Sequence, residues 1–117
     1  MRIVLASGNA GKIVELEQLL AGSGVELVPQ TALGVSDADE TGLTFVENAL
    51  IKARHAARAT GLPALADDSG ICVDALNGAP GLYAARYSGV HGNSPANNTK
   101  LLRELAGVPM ENRTAYF

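Results

Sequence analysis

Residues 3–20 read IVLASGNAGKIVELEQLL and predict a strand, a loop and a helix in that order. The apolar run of residues 3–6 is typical of a buried strand, and the small residues 7–11 form the loop. Apolar side chains then recur at the spacing of a helix, at Ile13, Leu16, Leu19 and Leu20. Glycines end this helix, and residues 25–28 predict a second strand. This order of elements favours an α/β architecture.

A second helix is marked at both ends. Thr44 and Glu47 form a capping box, and Gly61 supplies the stop signal. The predicted apolar face of this helix consists of Val46, Ala49, Leu50, Ala53 and Ala57. Lys52 lies outside that face, where a charged side chain is usually solvated.

The last part of the chain predicts a third helix and the beginning of another strand. Ser94 is placed as the helix cap and Pro95 as its first residue. Residues 113–117 read as strand. A length of 117 residues suits one domain, so we expect residues 1–117 to form a single domain.

Composition excludes several classes of protein. A net charge of −3 argues against general nucleic-acid binding, and an aromatic content of 4% without Trp argues against a base-stacking surface. No segment approaches the roughly 20 apolar residues of a membrane span. The single cysteine, Cys72, has apolar neighbours and predicts a buried thiol in a reducing compartment. We therefore expect a cytoplasmic protein with neither nucleic acid nor membrane as partner.

Residues 65–70, LADDSG, place two adjacent carboxylates directly after an apolar run. Carboxylates beside buried strand residues are costly to dehydrate unless a cation holds them. A hard divalent ion such as Mg²⁺ or Mn²⁺ fits, and the alternative is an ordinary surface turn. Side chains alternate along an extended strand, so Asp67 and Asp68 are expected to point in different directions.

Residues 7–12, SGNAGK, lie between the first strand and the first helix, where backbone N–H groups favour an anion. A P-loop is excluded, because Ala6 stands where that motif needs glycine and Ile13 where it needs Ser or Thr. A phosphate-binding loop of another kind remains, with Asn9 and Lys12 as donors; the alternative is a structural glycine turn. Together with the acids, these residues indicate Mg²⁺-dependent nucleotide or phosphate-ester chemistry.

Five ordered blocks of the sequence resemble the inosine/xanthosine triphosphate pyrophosphatase family. They are SGNAGK (7–12), ETGLTFVENA (40–49), ADDSG (66–70), VDALNGAPG (73–81) and ARYSG (85–89). The resemblance implies a mixed, twisted β-sheet flanked by helices. It also implies hydrolysis of ITP, dITP or XTP to the monophosphate and pyrophosphate, with Mg²⁺ as cofactor and a homodimeric assembly.

The resemblance also implies roles for individual residues. Asp68 becomes the general base and a metal ligand, Glu40 shares the metal and Asp67 supports the metal site. Substrate contacts are implied for Ser7, Gly8, Asn9, Ala10, Gly11, Lys12, Lys52 and Ser69.

The family's chains continue beyond the equivalent of Phe117 with segments that recognise the purine. The resemblance therefore covers an N-terminal portion of such an enzyme, and we expect the C-terminal part of the fold to be missing. The alternative function is a catalytically silent nucleotide-binding fragment.

Overall fold

A parallel sheet of three strands lies in the first of two units, Met1–Asp68, in the computed structural model, which describes residues 1–117. Strand β1 is Arg2–Leu5, β2 is Glu26–Pro29 and β3 is Ala64–Leu65. Their order in the sheet is β2-β1-β3, so the first strand is central. Both predicted strands of the N-terminal region are confirmed, each displaced by one residue.

Two helices accompany this sheet. Helix α1, Ala10–Leu19, follows β1, and helix α2, Phe45–Thr60, precedes β3. A short 3-10 helix, Gln30–Leu33, follows β2. The core contains Val4 and Ala6 from the strand region and Ala56 from α2, each at most 1% exposed. Helix α2 therefore packs on the sheet through a small side chain, which allows a close approach.

The capping box of α2 is confirmed. The backbone N–H of Glu47 donates to Thr44 Oγ1 at 3.2 Å, and the Thr44 hydroxyl donates to Glu47 Oε1 at 3.0 Å. The predicted stop is also confirmed, because Gly61 caps the helix in the left-handed region at φ 71°. Local sequence signals thus fixed both ends of the helix.

The predicted apolar face of α2 is correct for its three alanines, which are partly buried, and wrong for its two large residues. Val46 is 66% exposed and Leu50 is 46% exposed, whereas Asn48 and Ala56 are fully buried. Lys52 lies on this buried side, with a side chain only 16% exposed, so the expectation that it is solvated is also wrong. The helix turns a face of small and polar residues inward because that face contacts both the sheet and charged groups.

The second unit, Ser69–Phe117, contains a separate antiparallel pair of strands. Strand β4, Cys72–Val73, pairs with β5, Ala115–Tyr116, which confirms the strand predicted near the end of the chain. Short 3-10 helices are Asp74–Leu76, Gly81–Arg86 and Met110–Asn112. Cys72 is 7% exposed, as expected for a buried thiol.

Helix α3, Ser94–Glu104, also belongs to the second unit, but its predicted cap is wrong by one residue. Asn93 caps the helix, because its Oδ1 accepts the N–H of Ala96 at 3.1 Å. Ser94 is therefore the first helical residue and Pro95 the second. Asn and Ser are both good caps, and the sequence alone could not separate two such neighbours.

The α/β class is confirmed, with parallel and antiparallel strands in two different sheets. None of the three α-helices combines the length and apolar character needed to cross a bilayer.

Candidate functional site

The strand order places two loops of the first unit at one edge of the parallel sheet. Strand β1 has β2 on one side and β3 on the other, so the chain changes direction across the sheet at β1. The N–H of Ala6 donates to the Leu65 carbonyl at 2.9 Å, and both strands end at this level. Crevices at the carboxyl ends of parallel strands beside such a switch commonly bind ligands. The SGNAGK loop and the adjacent aspartates meet at this edge.

Lys12 and Asp67 form the first ion pair of the site. Lys12 Nζ lies 2.9 Å from Asp67 Oδ2, and the two side chains are 27% and 46% exposed. Lys12 belongs to the first turn of α1, and Asp67 follows β3. The pair therefore joins the two loops that the sheet brings together.

Asn9 fixes the beginning of α1. Its Oδ1 accepts the N–H of Lys12 at 3.1 Å, and its own N–H donates to Ser7 Oγ at 3.1 Å. A Cβ on Gly11 would lie 3.3 Å from this Oδ1, so glycine leaves room for the cap. The side-chain oxygen of Asn9 thus orders the loop and holds the backbone of Lys12 in place.

Lys52 joins the two remaining acids. Its Nζ lies 3.6 Å from Glu40 Oε1 and 3.5 Å from Asp68 Oδ1. The side chains of Lys52, Glu40 and Asp68 are 16%, 15% and 10% exposed. One partly buried ammonium therefore serves two partly buried carboxylates, and this group has a formal charge of −1.

Asn48 positions the segment that carries Glu40. Its Oδ1 accepts the N–H of Gly42 at 2.7 Å, and its side chain is fully buried. A Cβ on Gly42 would lie 2.7 Å from that same oxygen and 2.7 Å from Glu47 Cβ, so this close approach requires glycine. Asn48 lies within the 40–49 block, but no signal in the sequence indicated this positioning role.

Two further hydrogen bonds hold the residues before Glu40. Gln30 is 3% exposed and its Nε2 donates to Asp37 Oδ1 at 2.8 Å. His55 of α2 donates from Nε2 to the carbonyl of Ser36 at 2.8 Å. His55 therefore has a structural contact with this segment.

The carboxylates have the donor chemistry that a hard cation requires. Asp67 Oδ1 and Asp68 Oδ2 are buried oxygens without a hydrogen-bond partner. Mg²⁺ prefers such oxygen ligands and dehydrates reluctantly, so it commonly uses one or two carboxylates together with phosphate and water. The acids do not form a cluster of three that could enclose a metal ion by themselves, because lysines lie between them.

The structure brings together five of the predicted site residues in two ion-paired groups. They are Lys12 with Asp67, and Lys52 with Glu40 and Asp68. Asp67 and Asp68 use different lysines, as expected from side chains that point in different directions. Ser69 begins the second unit, and its substrate contact stays a prediction. Gly8 and Asn9 are exposed in the loop before α1, and Ala10 and Gly11 are exposed as the first two residues of that helix. The loop predicted for residues 7–11 is therefore two residues shorter in the structure.

Comparison with known sequences agrees with the family resemblance of the motif blocks. The sequence model of the Ham1 family matches residues 3–117. A dITP/XTP pyrophosphatase of Xanthomonas oryzae pv. oryzae is 66% identical over 115 residues, which cover 98% of this chain and 58% of that protein. A dITP/XTP pyrophosphatase of Thioalkalivibrio sulfidiphilus is 62% identical over 117 residues, 100% of this chain and 60% of that protein. The chain thus spans about three-fifths of the length of these curated relatives.

Solved structures agree with the sequence matches. A HAM1 protein from Coxiella burnetii is similar with a TM-score of 0.78 and 51% identity, over 91% of this chain and 54% of that chain. A nucleoside-triphosphatase / dITP/XTP pyrophosphatase from Mycobacterium abscessus gives a TM-score of 0.74 and 49% identity, over 98% and 61% of the two chains.

Proposed function

Because the chain belongs to the Ham1 family, we propose that it carries the phosphate- and metal-binding part of a nucleoside triphosphate pyrophosphatase. The proposed substrates are the non-standard purine nucleotides ITP, dITP and XTP, and the products are the monophosphate and pyrophosphate. The observation that carries the proposal is Lys52 between Glu40 and Asp68 at the carboxyl edge of a parallel sheet. The names of the similar dITP/XTP pyrophosphatases support the substrate class.

Asp68 is the proposed general base. Lys52 contacts its Oδ1, whereas its buried Oδ2 has no partner and is able to accept a proton. The oxygen of an attacking water forms a bond to phosphorus, and the anhydride bond between the α and β phosphates breaks. The proton of the water passes to Asp68, and the departing oxygen keeps the electron pair of the broken bond.

Lys12 and Lys52 are the proposed phosphate ligands. Ammonium groups bind phosphate as compact point charges with three donors each. Lys12 lies in the first turn of a ten-residue helix, where unpaired N–H groups and the helix dipole also favour an anion. Backbone is presented at the same end by Ser7, Gly8 and Asn9 of the loop and by Ala10 and Gly11, the first residues of α1. Ser69 is proposed to contact the substrate.

Glu40, Asp67 and Asp68 are the proposed Mg²⁺ ligands. The buried Oδ1 of Asp67, which has no hydrogen-bond partner, supports this assignment, and Asp68 would use the oxygen that does not accept the proton. When bound, Mg²⁺ supplies positive charge that stabilises the phosphate oxygens during the displacement.

We also propose a homodimer, as the family resemblance implies, and a cytoplasmic location. A net charge of −3 and one buried cysteine agree with a protein that acts on small nucleotides in a reducing compartment.

The test is pyrophosphate release from dITP and ATP by the 117-residue chain in the presence of Mg²⁺. We expect release from dITP, and we expect Asp68→Asn to lower it by at least ~100-fold because the general base is lost. Asp39→Asn is the matched control, since it alters an exposed acid of the same segment outside the proposed site. It should leave the rate unchanged.

Each other outcome removes a specific part of the proposal. Undiminished release by Asp68→Asn would exclude Asp68 as the base. Absence of release from a chain that circular dichroism shows to be folded would contradict activity of these 117 residues.

A further inference from the structure

The side chain of Lys52 contacts two of the three carboxylates that are proposed to bind the cation, Glu40 and Asp68. Its Nζ lies within 3.6 Å of both Glu40 Oε1 and Asp68 Oδ1. An ammonium group has one positive charge and three donors, so it neutralises part of the charge on the acids and partly satisfies their oxygens. In the structure, Lys52 thus occupies the position between the acids as an internal cation.

A metal ion on these carboxylates and Lys52 in its present position would repel each other. Like charges at such separations in a partly buried site interact strongly, because water screens them poorly. All three side chains here are no more than 16% exposed. Lys52 therefore competes with a divalent cation for Glu40 and Asp68.

The flexible stem of lysine provides a way to resolve this competition. Four methylene groups allow the ammonium to move while the backbone of α2 stays on the sheet. The helix backbone is held by the burial of Asn48 and Ala56 on either side of Lys52. The side chain of Lys52 can therefore change partners without a change in the fold.

We infer that Lys52 exchanges partners: it binds Glu40 and Asp68 in the metal-free protein and moves to a substrate phosphate when the cation binds. The inference rests on the proposed function and adds a coupling to it. Since the carboxylates release Lys52 only when another cation replaces it, Mg²⁺ increases the affinity for phosphate. By thermodynamic reciprocity, the phosphate increases the affinity for Mg²⁺.

The test measures Mg²⁺ binding by calorimetry in the absence of nucleotide. Lys52→Met removes the competing ammonium but keeps most of the stem volume. We expect it to bind Mg²⁺ about tenfold more tightly than the natural chain, a difference of about 1.4 kcal/mol. Arg58→Met is the matched control, because it removes an exposed positive charge from the same helix. It should change the affinity by less than about twofold, as expected for a screened charge.

A second measurement follows Lys52 in the natural chain, so the test does not depend on the folding of a variant. Side-chain NMR signals of the lysines are recorded while Mg²⁺ is added. The Lys52 signal should shift with the binding curve. The Lys100 signal should stay constant, because Lys100 donates to the Tyr87 carbonyl in the second unit.

The outcomes separate the exchange from the proposed function. Equal Mg²⁺ affinities of the natural chain and Lys52→Met, with an unshifted Lys52 signal, would overturn the exchange and leave the metal site intact. Failure of every variant and of the natural chain to bind Mg²⁺ would overturn both.

Discussion

The two lysine–carboxylate groups of the site, Lys12 with Asp67 and Lys52 with its two acids, differ in both distance and burial. The group with the shorter distance is the more exposed one. Lys12 and Asp67 are 2.9 Å apart, and Asp67 is 46% exposed. Lys52 is 3.5 Å from Asp68 and 3.6 Å from Glu40, but none of the three side chains is more than 16% exposed. The pair with the shorter distance is therefore the one that water screens better.

Because of this difference, we expect burial rather than distance to decide how much each group contributes to the free energy of unfolding. An exposed ion pair contributes roughly 0–1 kcal/mol, because solvent screens it and the side chains lose entropy. Removing one partner of a buried pair costs about 3–5 kcal/mol, because an uncompensated charge stays behind. The Lys52 group should thus dominate stability, and the Lys12 group should be easily rearranged by a ligand.

The largest expected effect is that of Lys52→Met on folding. This substitution removes the partly buried ammonium that pairs with Glu40 and Asp68, so we expect the free energy of unfolding to fall by about 3 kcal/mol. Lys12→Met should lower it by at most about 1 kcal/mol. Urea unfolding followed by circular dichroism measures both values. Equal losses in the two variants would contradict the comparison.

The same urea unfolding experiment is repeated in the presence of Mg²⁺. A ligand that binds only the folded state stabilises it according to its affinity. Because Lys52→Met lacks the competing ammonium, Mg²⁺ should restore more stability to this variant than it adds to the natural chain.

The next largest effect on stability is expected from the two asparagines that hold the segments of these lysine–carboxylate groups. Asn48 is fully buried and holds Gly42, whereas Asn9 is exposed and caps α1. We expect Asn48→Ala to cost about 2 kcal/mol, because the partly buried N–H of Gly42 loses its acceptor. Asn9→Ala should cost about 1 kcal/mol, the usual effect of losing a helix cap.

Mg²⁺ affinity is a second property that Asn48→Ala should change. We expect this variant to bind Mg²⁺ more weakly, since the segment that carries Glu40 loses one of the hydrogen bonds that hold it. Calorimetry at a temperature where the variant remains folded measures this reduction. An unchanged affinity would show that Glu40 is positioned by other contacts.

Local signals in the sequence predicted much of the fold. The apolar run before the SGNAGK loop gave β1, and the Thr44–Glu47 box with Gly61 gave both ends of α2. Such signals depend on residues within a few positions of each other, so no knowledge of the tertiary structure is needed.

The orientation of α2 could not be predicted in the same way. Hydrophobicity selected Val46 and Leu50 for the core, whereas the structure buries Asn48 and places Lys52 inward. The buried Oδ1 of Asn48 and the partly buried ammonium of Lys52 are stable only when their partners are present, and those partners are Gly42 and two acids from separate segments. The motif blocks indicated these residues, but their mutual contacts follow from the sheet.

The smallest expected effect is the coupling between Lys12 and Asp67, and salt should reveal it. A double-mutant cycle with Lys12→Met and Asp67→Asn should give a coupling energy of about 0.2–1 kcal/mol at low salt. At 1 M salt the Debye length is about 3 Å, so this energy should approach zero. The corresponding cycle of Lys52→Met and Asp68→Asn should keep most of its larger value, because ions cannot enter between side chains that are only 16% and 10% exposed. If both couplings vanished together in salt, solvent would screen the two groups equally, and their different exposure would have no energetic consequence.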